Sequence, residues 1–221
     1  MPRNLSEQDI ADFQDRLCDI AERQFVHHGA ESVTIRHLAS ALGVSPMTPY
    51  RYFKDKDAIL AAVRARAFDR HAEALESAYA RNVDDPNARA RAILDAYIEF
   101  AFANPEAYKL MFDIRHPTEA DYPELVRAGE RSRATMTLQL RDLIEAGRLQ
   151  GDPDRIGHMY WAAIHGALML HFSGMLSGDH EVRTLINALV MTLGRAIFGD
   201  AAARDTPAID QGPRQPGGRP E

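Results

Sequence analysis

The stretch Thr34–Phe53 reads TIRHLASALGVSPMTPYRYF, and KDKDAIL follows it almost at once. Ile35, Leu38, Ala39 and Leu42 recur at helical spacing, and Thr34 stands where an N-cap belongs. Ala39 is small, so a second helix can approach. Gly43 supplies the positive φ that a sharp turn between helices needs. Ser45 is a fresh N-cap, and Pro46 suits the first helical position. Beyond it stand Met47, Thr48, Tyr50, Arg51 and Tyr52, too polar and aromatic for a plain core stripe. The stretch predicts a helix, a tight turn at 42–44 and a second short helix. That is a helix-turn-helix, and its second helix suits a DNA major groove.

Charge around this stretch runs against the average of the chain. The 221 residues carry a formal net charge of −6, a balance that taken alone argues against a nucleic-acid partner. From Ser32 to Lys54, however, there is no Asp or Glu, while Arg36, Arg51 and Lys54 are present and Lys56 follows. A small positive window on an acidic body fits a binder that touches DNA through one element.

Composition narrows the rest. A chain with 45% hydrophobic residues can bury a core, as one large or two small domains. The single cysteine, Cys18, excludes an intramolecular disulfide and a cysteine-based zinc site. It sits on the apolar side of a helical pattern and reads as a core thiol. The opening MPRNLSEQDIADF has no apolar run, so no signal peptide is evident. The longest apolar segment, Met159–Leu176, carries His165, Gly166, His171 and Ser173 and reads as a buried bundle helix. A cytoplasmic location without a membrane partner is expected.

Every segment reads as helix, so the expected fold class is all-α. A first helix covers about 6–28, with Ile10, Phe13, Leu17, Ala21 and Phe25 as its stripe and Gly29 as its stop. After the helix-turn-helix, a long helix starts near Asp55. Further helices are expected at about 86–103, 105–112, 123–146, 153–176 and 181–198, with a loop over 115–122. The tail from Gly199 is rich in Gly, Pro, Gln and Arg, without apolar periodicity, and disorder is expected there. The expected domains are a helix-turn-helix DNA-binding unit (1–57), a helical ligand-binding and dimerisation domain (58–199) and a tail (200–221). The last two helices are apolar on more than one face. A helix wet on one side needs a stripe of only about 100°. The excess predicts a homodimer in which these two helices meet their copies in a four-helix interface; a larger internal core is the alternative.

LASALGVSPMTPYRYFKDKDAIL resembles the N-terminal motif of the TetR family of bacterial transcriptional regulators, over roughly Ala11–Leu60. AFANPEAYKLMF, together with Trp161, His165 and Gly166 in WAAIHGALML, is similar to the WHG-type ligand domain of some members. The resemblance implies an all-helical homodimer, a double-stranded DNA operator as partner and a small-molecule effector that releases it. By position it places Thr34 on a phosphate at the start of the second helix and Arg36 beside the groove. It places Pro46, Met47, Thr48, Arg51 and Tyr52 towards the groove, next to the Ser45 cap. Tyr50 and Lys56 would meet phosphates. This chain departs from the family at two positions. Met47 replaces the usual small residue and Pro49 the usual apolar one. Pro49 removes a backbone donor where the first intrahelical bond would form. The recognition helix is therefore expected to start late or to be tightly wound.

Arg36 and Arg51 are the candidates for base edges, since arginine reads guanine bidentately; phosphate or solvent is the alternative for each. Tyr50 offers a rigid hydroxyl to a phosphate oxygen or packs on the first helix. Lys56 at a helix N-terminus opposes the helix dipole, which an anion would relieve; a solvated lysine is the alternative. Trp161 and His165 stand at i, i+4 on one face. With Phe100, Tyr108, Met111, Phe112 and Met169 they either line an apolar effector cavity or form packed core. His158, His165 and His171 lack the spacing of a metal triad. No G-x-S-x-G, glycine-rich phosphate loop or H-E-x-x-H occurs, so neither an enzyme nor a cofactor is expected. The reading is a ligand-responsive DNA-binding regulator that represses. The alternative is a helical binding protein whose helix-turn-helix reads no specific site.

Overall fold

The computed structural model describes residues 6–81, 85–112, 121–176 and 178–198, and these form helices and turns without a strand. The helices are α1 (Glu7–His28), α2 (Ile35–Ala41), α3 (Lys56–Ala80), α4 (Pro86–Ala103), α5 (Pro105–Met111), α6 (Pro123–Thr135), α7 (Leu138–Glu145), α8 (Pro153–Phe172) and α9 (Asp179–Phe198). A single 3₁₀ turn, Pro49–Arg51, lies between α2 and α3.

The chain gathers into two units. One holds residues up to 72 together with 104–132; the other holds 73–103 and the residues from 133 onward. A boundary at 57/58 is therefore not where the contacts divide. Side chains explain the shift. Leu110 of α5 joins the core built by α1, α2 and the start of α3. The buried Arg64 donates to the Met111 carbonyl at 2.9 Å. Asp69 of α3 pairs with Arg127 and Arg131 of α6 at 3.0 and 3.1 Å.

In the first unit α1 opens with a capping box. Ser6 Oγ accepts from the Asp9 amide, and the Asp9 carboxylate accepts from the Ser6 amide. Its apolar stripe, Phe13, Leu17, Cys18, Ala21 and Phe25, packs with Val33, Ile35, Leu38, Ile59, Leu60 and Val63. Burial pushes the Cys18 thiol pKa up, so the thiol is a packing group. Arg66 and Arg70 fasten α3 to α1 through Asp19 at 2.7 Å and Glu22 at 2.6 Å.

In the second unit α8 and α9 pack along each other, α7 packs on α4 and α8, and Leu140, Leu143, Leu149 and Ile156 form a small core. The single helix expected over 123–146 is two helices. No glycine or proline breaks it. At 135–137 the amides of Met136 and Thr137 bond three residues back instead of four, and Thr137 Oγ1 donates to the Ala134 carbonyl at 3.1 Å. Gly157 of α8 faces this break. A Cβ there would lie 3.0 Å from Thr137 Cγ2, a tight contact that a larger residue could keep only if Thr137 shifts. The helix expected to reach Leu176 stops at Phe172, followed by Gly174 at φ +77°. Near the start of α4, Asp142 receives the Tyr79 hydroxyl at 2.9 Å and pairs with Arg89, whose guanidinium also lies 5.0 Å over the Tyr79 ring. That cluster joins the last turns of α3 to α4 and α7. Residues 115–120 and the tail 200–221 lie outside the described residues.

Candidate nucleic-acid interface and ligand cavity

The helix-turn-helix forms from local rules. Thr34 caps α2, accepting from the His37 amide at 3.2 Å. Gly43 turns the chain at φ +70°. Val44 N–H bonds the Ala39 carbonyl at 3.0 Å, and Ser45 Oγ accepts from the Met47 amide at 3.4 Å. Pro49 is buried and opens the 3₁₀ turn. Of the two expected forms of the second helix, the tightly wound one is observed. Three-residue bonds, Thr48 to Ser45, Arg51 to Thr48 and Tyr52 to Pro49, carry it.

This geometry presents Thr34, Arg36, Ser45, Pro46, Met47, Tyr50 and Arg51 to solvent and leaves Thr48 half-buried. Met47 is 68% exposed, which no core role explains. Two residues depart from the expected roles. Tyr52 stacks on Phe13 at 4.1 Å, with the rings 20° apart, and Gln14 donates to its carbonyl. Its half-buried ring thus packs on α1 of the first unit. Lys56 Nζ donates to the carbonyls of Ala30 at 2.9 Å and Glu31 at 3.3 Å. Its charge therefore secures the loop that delivers Thr34 to the α2 start. Two exposed neighbours on α2, His37 and Ser40, were not singled out from the sequence, and Lys54 was named only as part of the positive window. Their signal was the polar side of the α2 pattern and the acid-free window.

A cavity of about 500 Å³ lies in the second unit, between α4, α7 and α8. Its walls are mostly apolar: Ile93 and Leu94 of α4, Leu140 and Leu143 of α7, Ile164 of α8. Polar groups punctuate them. Trp161 Nε1 donates to the Tyr97 hydroxyl at 3.1 Å, and both residues line the space. Gln139 Nε2 donates to the Met136 carbonyl at 3.0 Å, while its buried Oε1 has no hydrogen-bond partner among the described residues. Burial drives the Tyr160 pKa up to about 12, so this wall residue keeps its hydroxyl proton.

Of the expected cavity residues, Trp161 lines it. Tyr108 and Met111 are fully buried in the first unit, and Phe112 packs edge-on against Phe68 and Tyr108 there. Phe100 is core, and His165 and Met169 are half-buried on α8, outside the cavity wall. Burial lowers the His165 pKa, and its ring lies 5.5 Å from that of Trp161. Among the described residues no group of His, Cys, Asp or Glu is placed to hold a metal ion, and no helix is long and apolar enough to cross a membrane.

Comparison with known proteins agrees with both halves. Residues 17–63 match the model described as bacterial regulatory proteins, tetR family, and residues 90–193 match the tetracyclin repressor-like C-terminal domain. The HTH-type transcriptional regulator Rv1816 of Mycobacterium tuberculosis is 23% identical, over 74% of this chain and 82% of its own. A Rhodococcus sp. RHA1 protein of unknown function superposes with a TM-score of 0.73 at 29% identity, covering 90% of this chain and 99% of the other. The TetR family regulator PfmR from Thermus thermophilus shares the fold, with a TM-score of 0.62 at 21% identity over 84% of this chain and 99% of the other. With the helix-turn-helix at its N-terminus and the matching C-terminal domain behind it, the chain belongs to the TetR family of bacterial transcriptional regulators.

Proposed function

We propose that this regulator is a homodimeric repressor that leaves its operator when a small, mainly apolar effector enters the cavity of the second unit. The observation that carries the reading is that cavity. It is mostly apolar, of ligand size, and carries a few polar groups, among them the Tyr97 hydroxyl bonded to Trp161 Nε1. An effector works only by binding the DNA-incompetent state better. A tenfold preference shifts the balance by about 1.4 kcal/mol per site. Thr34, Arg36, Ser45, Pro46, Met47, Tyr50 and Arg51 form the DNA-contacting surface, with His37, Ser40 and Lys54 added to it.

Dimerisation through α8 and α9 supplies the second half-site. The outer faces of these helices carry Met159, Ala162 and Leu170, and Thr184, Ala188, Thr192 and Ala196, all exposed in one copy. Small residues along that face let a second pair approach closely. A two-fold dimer then sets two recognition segments on successive grooves, about 34–36 Å apart. The test is a footprint on the DNA flanking the protein's own coding region, repeated with small apolar compounds while Trp161 fluorescence is followed. A protected palindrome, lost in step with a Trp161 change, is the expected result. Protection that no compound relieves, or Trp161 changes without release, would overturn the effector reading.

A further inference from the structure

The cavity wall carries one charge. Among its lining residues there is no Asp or Glu, and Arg148 is the sole cation. This is notable in a chain with 32 acidic residues against 26 Lys and Arg. Arg148 is both exposed and part of the lining, so its side chain stands at the rim. Arg89, near the same helices, is neutralised by Asp142. Arg148 has no carboxylate partner among the described residues.

A cation just past α7 has a simple explanation in helix electrostatics, because a positive side chain suits the last carbonyls. Here the backbone already serves them. The amides of Ala146, Gly147, Arg148 and Leu149 bond the carbonyls of Asp142, Ile144 and Leu143. Arg148 also lines the largely apolar space, which helix electrostatics alone do not call for. A guanidinium pairs with a carboxylate through two parallel hydrogen bonds. Below it, Leu140 and Leu143 of α7 and Ile164 of α8 offer only hydrocarbon contact.

We propose that the effector is an apolar carboxylic acid, its carboxylate paired with Arg148 at the rim and its hydrocarbon body inside the cavity. This rests on the effector reading above and narrows it to one chemical class. A rim-exposed pair is worth at most about 1 kcal/mol, roughly a fivefold preference for the acid over an uncharged analogue of the same body.

The probes are decanoate, decanol and decyltrimethylammonium, with Trp161 fluorescence and operator affinity read together on the full-length protein. Decanoate is expected to bind about fivefold more tightly than decanol, with the ammonium weakest, and to release DNA at the lowest concentration. In Arg148→Gln the acid and the alcohol should bind alike, and in Arg148→Glu the ammonium should lead. Arg148 is exposed, so both variants should melt with the wild type. If decanol equals decanoate, or the preference survives Arg148→Gln, the carboxylate assignment is wrong although the effector site stands. If none of the three moves Trp161 or releases DNA, both the class and the effector site fall.

Discussion

Arg36 and Arg51 are both exposed on the acid-free stretch 32–54, and a guanidinium there can read a base or merely hold a phosphate. If each reads guanine, Arg36→Ala and Arg51→Ala should relax preference at one base pair per half-site, at a cost of about 1–3 kcal/mol. Binding to operators varied base by base would show it; an equal loss on specific and random DNA would assign both to phosphates. Deeper in the same unit, His71 is buried with Nδ1 2.9 Å from Ser132 Oγ, and burial lowers its pKa from 6.5 to about 4. The folded state thus keeps His71 neutral, while the unfolded chain takes up a proton first as pH falls. Its contribution is complete above pH 6.5 and is lost on the way down to pH 4, by about 3 kcal/mol. Wild type and His71→Gln should therefore converge in denaturant midpoint between pH 7 and pH 4; a constant gap would refute it. The residue scale also shows what a sequence cannot display. Arg36, Met47, Tyr50 and Arg51 were legible because exposure follows from local pattern. Tyr52 and Lys56 were not. Their partners, Phe13 and the Ala30 carbonyl, lie far away in sequence and are brought close by the fold alone.

Helices with an obvious cap or stop were readable from sequence. Thr34 announces a start and Gly29 an end. Pro49 likewise announced the tight winding of the recognition segment. The break between α6 and α7 had no such sign. Thr137 marks it with a side-chain bond to the Ala134 carbonyl, and helix propensity at 123–146 favours continuity. Its fit against α8 can be tested. In Gly157→Ala the new methyl would meet Thr137 Cγ2 at 3.0 Å, with Leu140 Cδ1 at 3.6 Å. The variant should lose about 1–2 kcal/mol through overpacking. Adding Thr137→Ser removes the opposing methyl, keeps the hydroxyl and should restore most of the loss. Denaturant midpoints of the single and double variants would settle it; additive losses would mean the two residues do not meet. The cavity was half legible for a related reason. The i, i+4 rule placed Trp161 and His165 on one face, but which helix closes over that face depends on packing. Trp161 meets Tyr97 of α4 and His165 lies outside the cavity wall, while the wall from α7 was hidden because the sequence did not separate α7 from α6.

At the scale of the whole molecule, the all-helical architecture was legible from periodicity. The grouping of 104–132 with the first unit was hidden, because Arg64, Leu110 and Asp69 reveal their partners only once folded. Ala188→Arg places a charge on the proposed dimer face, where Ala188 is exposed in one copy. It should leave the helical content intact, convert the protein to a monomer in sedimentation and abolish operator binding. A variant that stays dimeric would put the interface elsewhere. The acid-free stretch carries a consequence for how the regulator finds its site. A body of net charge −6 is repelled by DNA at long range, and attraction begins only when Arg36, Arg51 and Lys54 face the duplex. For such a molecule the net charge repels DNA and only the local field of this basic stretch attracts it. The molecule should arrive pre-oriented and dwell briefly on random sequence. Its search then relies on repeated three-dimensional encounters instead of long sliding, and random DNA should compete with the operator far less than it does for a uniformly basic protein.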